Sequence, residues 1–476
     1  MPTGLLRRGT RRVAAWSPEE RDAVLYAGSA LFAGLTILVS SIPLYRQWGQ
    51  LAVGPYALGA LLSAIAARHS EHRTKRSQAL ELDARGESSV HPALAERAAW
   101  HWTPSRLGIF LLVLCGATLM PLSLEVLWQA EYGGSTHVQP EVVVVEQGAG
   151  RVLHGRNLYL DVHGRGAAAA RVSPNEPAYD AYFPYLPGMA VFGLPSGTTA
   201  PPRLTDARVV FSVITMILVV VSLALCRGPS DRRSLTLQAM TVLPMAALPL
   251  ATGGDDLPVV AFMLLGMVLA LRRRPVLAGL ALGAASSLKF TAWPLALLAL
   301  FVARNAHGKR AIGRMIAGMA VVVVPAVLPV AVRNPLAFID NVVRFPLGLT
   351  GVTSPAASAL PGHLLVMAFP GIHRAFTLVV AAVGLLVILH VLVRHPPRVP
   401  SNAVLIMAWA SVIAIMLAPA TRVGYLLYPA DLFVWVWLLR GEEAYQVAES
   451  AGSGQGGNSA VPIPLVSRAT PTDGRF

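Results

Sequence analysis

Eleven stretches of almost uninterrupted apolar residues punctuate this chain, near 24–43, 51–67, 107–128, 208–226, 234–251, 257–271, 276–303, 314–333, 374–393, 402–418 and 423–440. Most approach the ~20 residues an α-helix needs to cross about 30 Å of hydrocarbon. In that medium every backbone N–H and C=O must be satisfied inside the protein, which leaves helices or a closed barrel. The sequence lacks the ten-residue alternating segments of barrel strands. An all-α polytopic membrane protein is expected. Composition agrees, with 54% hydrophobic and 13% charged residues, about half the charge of a soluble domain.

The net charge of +14 does not point to nucleic acid, because no basic helix interleaved with aromatics occurs and arginine gathers at loop ends. Membrane orientation explains it better. The two cysteines, Cys115 and Cys226, lie at or inside apolar segments and read as packing residues outside any disulfide framework. The first apolar run is long and lacks a small-residue cleavage site, so it reads as a retained span.

Topology turns on segment 276–303, whose 28 residues would make a helix of about 42 Å, too long for one upright crossing. Lys289 and Pro294 interrupt it. Two short helices joined near Lys289 return the basic stretch RNAHGKRAIGR to the same side as the other basic loops. Twelve crossings follow, with both termini cytoplasmic in the plasma membrane. Segments assigned inside (1–22, 68–106, 227–233, 272–274, 304–314, 394–398) then hold 24 Lys and Arg in 87 residues, and those outside (129–205, 252–256, 334–373) hold 6 in 122. This is the positive-inside asymmetry.

Three regions are expected. Residues 1–106 carry two leading spans and a basic cytoplasmic loop, whose polar part 69–105 has room for one short helix. Residues 107–440 form the core, with external loops 129–205 and 334–373. The Gly/Ser/Pro-rich tail 441–476 reads as disordered. The 77-residue loop 129–205 far exceeds a connector's needs and is the natural place for a site. No zinc-spaced His/Cys cluster, P-loop or GxSxG elbow is present.

Within that loop an acid, Glu141, stands 14 positions before Gly155; G-x-x-L-Y closes on Leu158 and Tyr159, and an aromatic run ends in Leu186-Pro187-Gly188 before the next span. This order resembles the first external loop of the GT-C superfamily of polyprenyl-phosphate-sugar-dependent glycosyltransferases. It is most similar to glycosyltransferase family 87, the actinobacterial mannosyl- and arabinofuranosyltransferases. There the loop runs D-x-x-x-Y, a helix, then G-x-x-L-Y, with the acid catalytic; here Glu141 replaces the aspartate and Val145 the tyrosine. The stretch from GGDD to Lys289 resembles the family's middle, and the likeness spans about 107–440.

The resemblance implies an inverting transferase that moves a sugar from a polyprenyl-phosphate donor to a cell-envelope glycolipid or polysaccharide on the outer face. Glu141 would be the general base, with Glu146 the alternative; five positions on a helix set the two about 140° apart, so they cannot share a face. Lys289, an ionisable residue within an apolar segment, and Arg422, at the start of the last span, would bind donor phosphate; snorkelling and interfacial anchoring are their plainer readings. Asp255 and Asp256 would hold acceptor hydroxyls or a divalent cation, or one of them would cap the helix they begin. Tyr159, Tyr182, Tyr185 and Tyr425 would line a sugar pocket, or pack at the interface. Asp340 and Arg344, i and i+4, read as a surface ion pair, and Gly279 and Gly283 as a helix-packing G-x-x-x-G. A transporter or flippase of lipid-linked sugars and a non-catalytic scaffold are the alternatives from other classes; no inverted repeat supports the former.

Overall fold

The computed structural model describes residues 16–83, 102–133, 137–162, 177–350, 352 and 355–453. The basic N-terminus, positions 84–101 and the tail from 454 lie outside them. Among the described residues there is no β-strand, only an isolated bridge between Ala357 and Thr421.

Thirteen principal helices follow in order: α1 (Pro18–Val39), α2 (Pro43–Asp83), α3 (Pro104–Tyr132), α4 (Pro140–Leu153), α5 (Ala207–Ala224), α6 (Ser230–Thr252), α7 (Asp256–Leu271), α8 (Pro275–Leu288), α9 (Trp293–His307), α10 (Lys309–Arg333), α11 (His373–Arg394), α12 (Pro400–Leu417) and α13 (Leu427–Ser453). Nine of the described helical segments are long and apolar enough to cross a membrane, against the twelve crossings expected; α7, α8 and the segment containing α9 are apolar but shorter. Two boundaries differ from expectation. The polar stretch after residue 69 continues α2 as far as Asp83, and α13 runs on through Ser453. The second extension has a partner: the Glu442 carboxylate accepts the Arg227 and Gly228 backbone N–H groups, and Glu443 accepts from Ser401.

Breaks in the long helices are repaired by side chains, as a non-aqueous surround requires. Pro121 has no N–H to give Ala117, and α3 widens into a π-helical stretch over Leu114–Leu119. The Trp48 indole of α2 donates to the Ala117 carbonyl instead, at 3.0 Å. Where α6 breaks before Pro244, Thr118 and Tyr56 donate to the carbonyls of Thr241 and Val242. These bonds, and a buried Arg106–Asp22 pair at 2.6 Å, dock the two leading helices on the core.

Helix α7 is the axis of the bundle: 14 of its 16 residues are buried. At 1.5 Å per residue it is about 24 Å long, short of the apolar thickness. Charges at its start, Asp255 and Asp256, therefore lie inside the bundle, 2% and 8% exposed. The neighbouring pair α8 and α10 meets through glycines. A Cβ on Gly279 would lie 2.2 Å from the Met315 carbonyl oxygen and one on Gly283 2.9 Å from Met319, which bears out the packing reading.

The long apolar segment breaks where topology asks. Helix α8 stops at Leu288, Lys289 is extended (φ −146°, ψ 149°), a 3-10 turn spans Phe290–Ala292, and Pro294 sits in the first turn of α9. The exposed Leu288 carbonyl is taken by the Leu186 N–H of the long loop at 3.0 Å. Gly188 allows this approach, since a Cβ there would meet Ser287 Oγ at 2.5 Å. The long loop itself is structured, with α4, 3-10 turns over Ala178–Ala181 and Pro187–Gly197, and a short helix Pro202–Thr205. In the second loop Arg344 pairs with Asp340 at 2.8 Å as the spacing predicts; Asp340 faces inward, 7% exposed. Cys115 and Cys226 are free thiols, exposed and buried respectively.

Candidate active site

Seven of the residues singled out in the sequence meet at one spot. Lys289, freed from helical backbone by the break after α8, donates to Asp255 Oδ1 at 2.7 Å and Asp256 Oδ1 at 2.6 Å. Neither aspartate side chain caps α7; the expected capping role fails because an ammonium closer than any orphan N–H takes both carboxylates. Tyr428 on α13 donates to Asp256 Oδ1 at 2.7 Å and lies 2.8 Å from Thr291 Oγ1. The Tyr185 ring stands 5.0 Å from Lys289 Nζ, a cation–π distance. Nearby, Arg422 forms an ion pair with Glu141, in the first turn of α4. Tyr425 interacts electrostatically with Asp256, Lys289, Arg422 and Glu141.

The electrostatics are those of charges taken out of water together. Burial alone would lower Lys289, but the facing Asp255 and Asp256 carboxylates more than reverse this and hold it above its ordinary range. Arg422 behaves likewise against Glu141. Burial pushes the Asp255 carboxyl up to about 6, against the pull of Lys289. Its Oδ2 and Glu141 Oε2 are buried without partners, leaving two acceptors to receive a hydroxyl. The cation position between the two aspartates is filled by Lys289, so a divalent ion there would have to displace it. Among the described residues no group of three or more His, Cys, Asp or Glu forms a metal cage.

Other candidates lie apart. Glu146 faces away from Arg422, as the 140° separation requires, and accepts the Ala207 N–H at 2.9 Å at the start of α5. Burial raises its carboxyl above the usual range. Tyr159 is 1% exposed, donates to the Tyr185 carbonyl at 2.9 Å and packs edge-on against Phe183 and Phe338. It supports the aromatic run rather than facing a cavity. Tyr182 stacks on Phe345 at 4.3 Å, in a separate cluster with Val162 and Val352.

A second polar network, not anticipated from the sequence, holds the start of α4. Arg208 binds Asp206 at 2.6 and 2.9 Å and donates to the His137 carbonyl, and the His137 ring meets the fully buried Glu125 at 3.0 Å. Gln139 reaches Thr252 and Tyr45. The turn at Gly253 has φ +104°, and a Cβ there would strike Val142 and Arg208. The one signal available beforehand was Glu125, an acid inside an apolar run.

Residues 183–419, just under half of the chain, match glycosyltransferase family 87. That segment contains Tyr185, Asp255, Asp256 and Lys289; Glu141 precedes it, and Arg422 and Tyr425 follow. The chain is also similar to a crystal structure of ArnT from Cupriavidus metallidurans bound to undecaprenyl phosphate, at 15% identity and a TM-score of 0.45, over 74% of this chain and 64% of that one. This chain thus spans less than two thirds of that protein's length. No curated protein matches it.

Proposed function

From the premise that residues 183–419 belong to glycosyltransferase family 87, we propose that this protein is an inverting, GT-C-type transferase of a mannose- or arabinofuranose-class sugar. Its donor is a polyprenyl-phosphate sugar, and its acceptor a cell-envelope glycolipid or polysaccharide on the outer face of the plasma membrane. One observation carries the reading: Glu141 and Arg422, 281 positions apart, pair at a buried point beside Asp255, Asp256 and Lys289. A packing requirement alone would not assemble three carboxylates and two cations there, because each charge loses its hydration.

In this reading the donor phosphate binds Arg422 and Lys289. To take Arg422 it must compete with Glu141, so donor binding releases the carboxylate from its ion pair. Glu141 then accepts the proton of the acceptor hydroxyl as that oxygen attacks the anomeric carbon. The bond from carbon to phosphate oxygen breaks with its electron pair, and the polyprenyl phosphate leaves stabilised by the two cations. Asp255 and Asp256 accept hydroxyls of the sugars, and Tyr185 and Tyr425 wall the site.

Membranes carrying wild type or Glu141→Gln, incubated with radiolabelled polyprenyl-phosphate mannose or arabinose and lipid extract, test this. Labelled product that disappears in the variant is expected. Product that persists removes Glu141 from the chemistry, and no product with either donor overturns the enzyme reading in favour of transport or scaffolding.

A further inference from the structure

Helix α2 presents three polar aromatics, Tyr45, Trp48 and Tyr56, within about 80° of one face at ~100° per residue. Two of them repair broken backbone: Trp48 donates to the Ala117 carbonyl and Tyr56 to that of Val242. Tyr45 has no such duty. Its hydroxyl oxygen accepts from Gln139 Nε2 at 3.2 Å, and it interacts electrostatically with Glu141 and Arg422.

Gln139 is the residue on which α4 begins, two before Glu141. A side chain there ordinarily turns back onto the first free N–H groups of the helix; that of Gln139 does not. It donates instead to Thr252 Oγ1 at 2.5 Å as well as to Tyr45. The Gln139 N–H adds a bond to the Thr252 carbonyl at 3.3 Å. Thr252 is fully buried, gives its own hydroxyl hydrogen to the Leu248 carbonyl, and ends α6 three residues before Asp255. One glutamine thus ties together α2, the helix that carries Glu141 and the turn that carries Asp255 and Asp256.

We infer that Tyr45 and Gln139 are positioning residues for the transfer reaction, which makes the leading helix pair a working part of the active site. The inference rests on Glu141 being the base. Once donor phosphate draws Arg422 away, the aim of Glu141 depends on how firmly the start of α4 is held. Tyr45 and Thr252 hold Gln139 from two sides, and so fix the base relative to the cluster of Asp255, Asp256 and Lys289.

Tyr45→Phe, Gln139→Leu and, as a contrast, Trp48→Phe in the full-length protein test this by hydrogen exchange and by rates per folded molecule in mild-detergent micelles. Amides in the first turn of α4 should exchange severalfold faster in the first two variants. In Trp48→Phe they should keep the wild-type rate while the SDS midpoint falls. The first two should lose about tenfold or more in kcat at unchanged donor KM, since a misplacement on the order of 1 Å can cost a hundredfold. The double variant Tyr45→Phe/Gln139→Leu should be no slower than Gln139→Leu, because both act through one bond. Thr252→Val should match Gln139→Leu, and Thr252→Ser, which keeps the hydroxyl, should retain most of the rate. Unchanged exchange in α4, equal acceleration by Trp48→Phe, or multiplying losses in the double variant overturns the inference. Faster exchange at unchanged kcat confines Tyr45 to stability and overturns it too. Exchange is read without substrate, so wild type that transfers no sugar registers separately, against the enzyme reading.

Discussion

Replacing Lys289 with methionine separates a structural from a functional lysine. Its ammonium lies 2.6–2.7 Å from two carboxylates, and all three side chains are 3–11% exposed. At an effective dielectric of ~20, each attraction is ~6 kcal/mol gross, most of it offset by the desolvation of the charges. Removing one partner leaves the others buried and uncompensated, which costs about 3–5 kcal/mol. Lys289→Met should therefore unfold at clearly lower SDS when titrated from mild-detergent micelles, read by fluorescence of the nine tryptophans. The loss should shrink as pH falls below about 6, where Asp255 takes up a proton. Adding Asp255→Asn and Asp256→Asn removes the stranded charges and should restore most of the stability. Sugar transfer should stay absent in both variants, because the phosphate ligand is gone. An unchanged SDS midpoint in Lys289→Met would refute the buried-cluster argument. Transfer by the stable triple variant would reduce Lys289 to a counter-ion.

Glu141→Gln should abolish transfer, whereas Glu146→Ala should retain it and lose about 1 kcal/mol of stability through the orphaned Ala207 N–H, a contrast read from product counts and SDS midpoints. The folded state keeps a proton on Asp255 up to about pH 6, while the unfolded carboxyl loses it near about pH 4. The native state thus binds more protons in that window, so stability should fall as pH rises through it and level off above; Asp255→Asn should flatten this step. Gly279→Val drives a side chain into the Met315 carbonyl and should cost about 1–3 kcal/mol without changing donor KM beyond its effect on folded fraction.

The spans, the break at Lys289 and the glycine contact of α8 with α10 were legible because hydrophobic length, charge bias and small-residue spacing act locally. The site was legible in its parts: Lys289 stood out as an ionisable residue inside an apolar segment, and Asp255, Asp256 and Arg422 as charges at the external starts of spans. What spacing could not reveal was who pairs with whom. Asp255 and Asp256 read as helix caps because their own turn offered orphan N–H groups, and only tertiary packing brings Lys289 closer. Tyr159 and Tyr182 showed the right side chains for a sugar pocket, yet burial against Phe338 and Phe345 spends their faces on packing. The continuation of α13 to Ser453 depends on Glu442 finding Arg227 and Gly228, more than two hundred residues away.

The hydrogen bond from Leu186 to Leu288 gives the break in α8 a mechanical meaning. It stitches the aromatic loop to the residue immediately before Lys289, and Gly188 seated on Ser287 tightens the seam. A single peptide unit therefore separates the aromatic wall's anchor from the charge cluster, so a substitution that loosens the Leu186–Leu288 bond should register at Lys289 as well as in the loop.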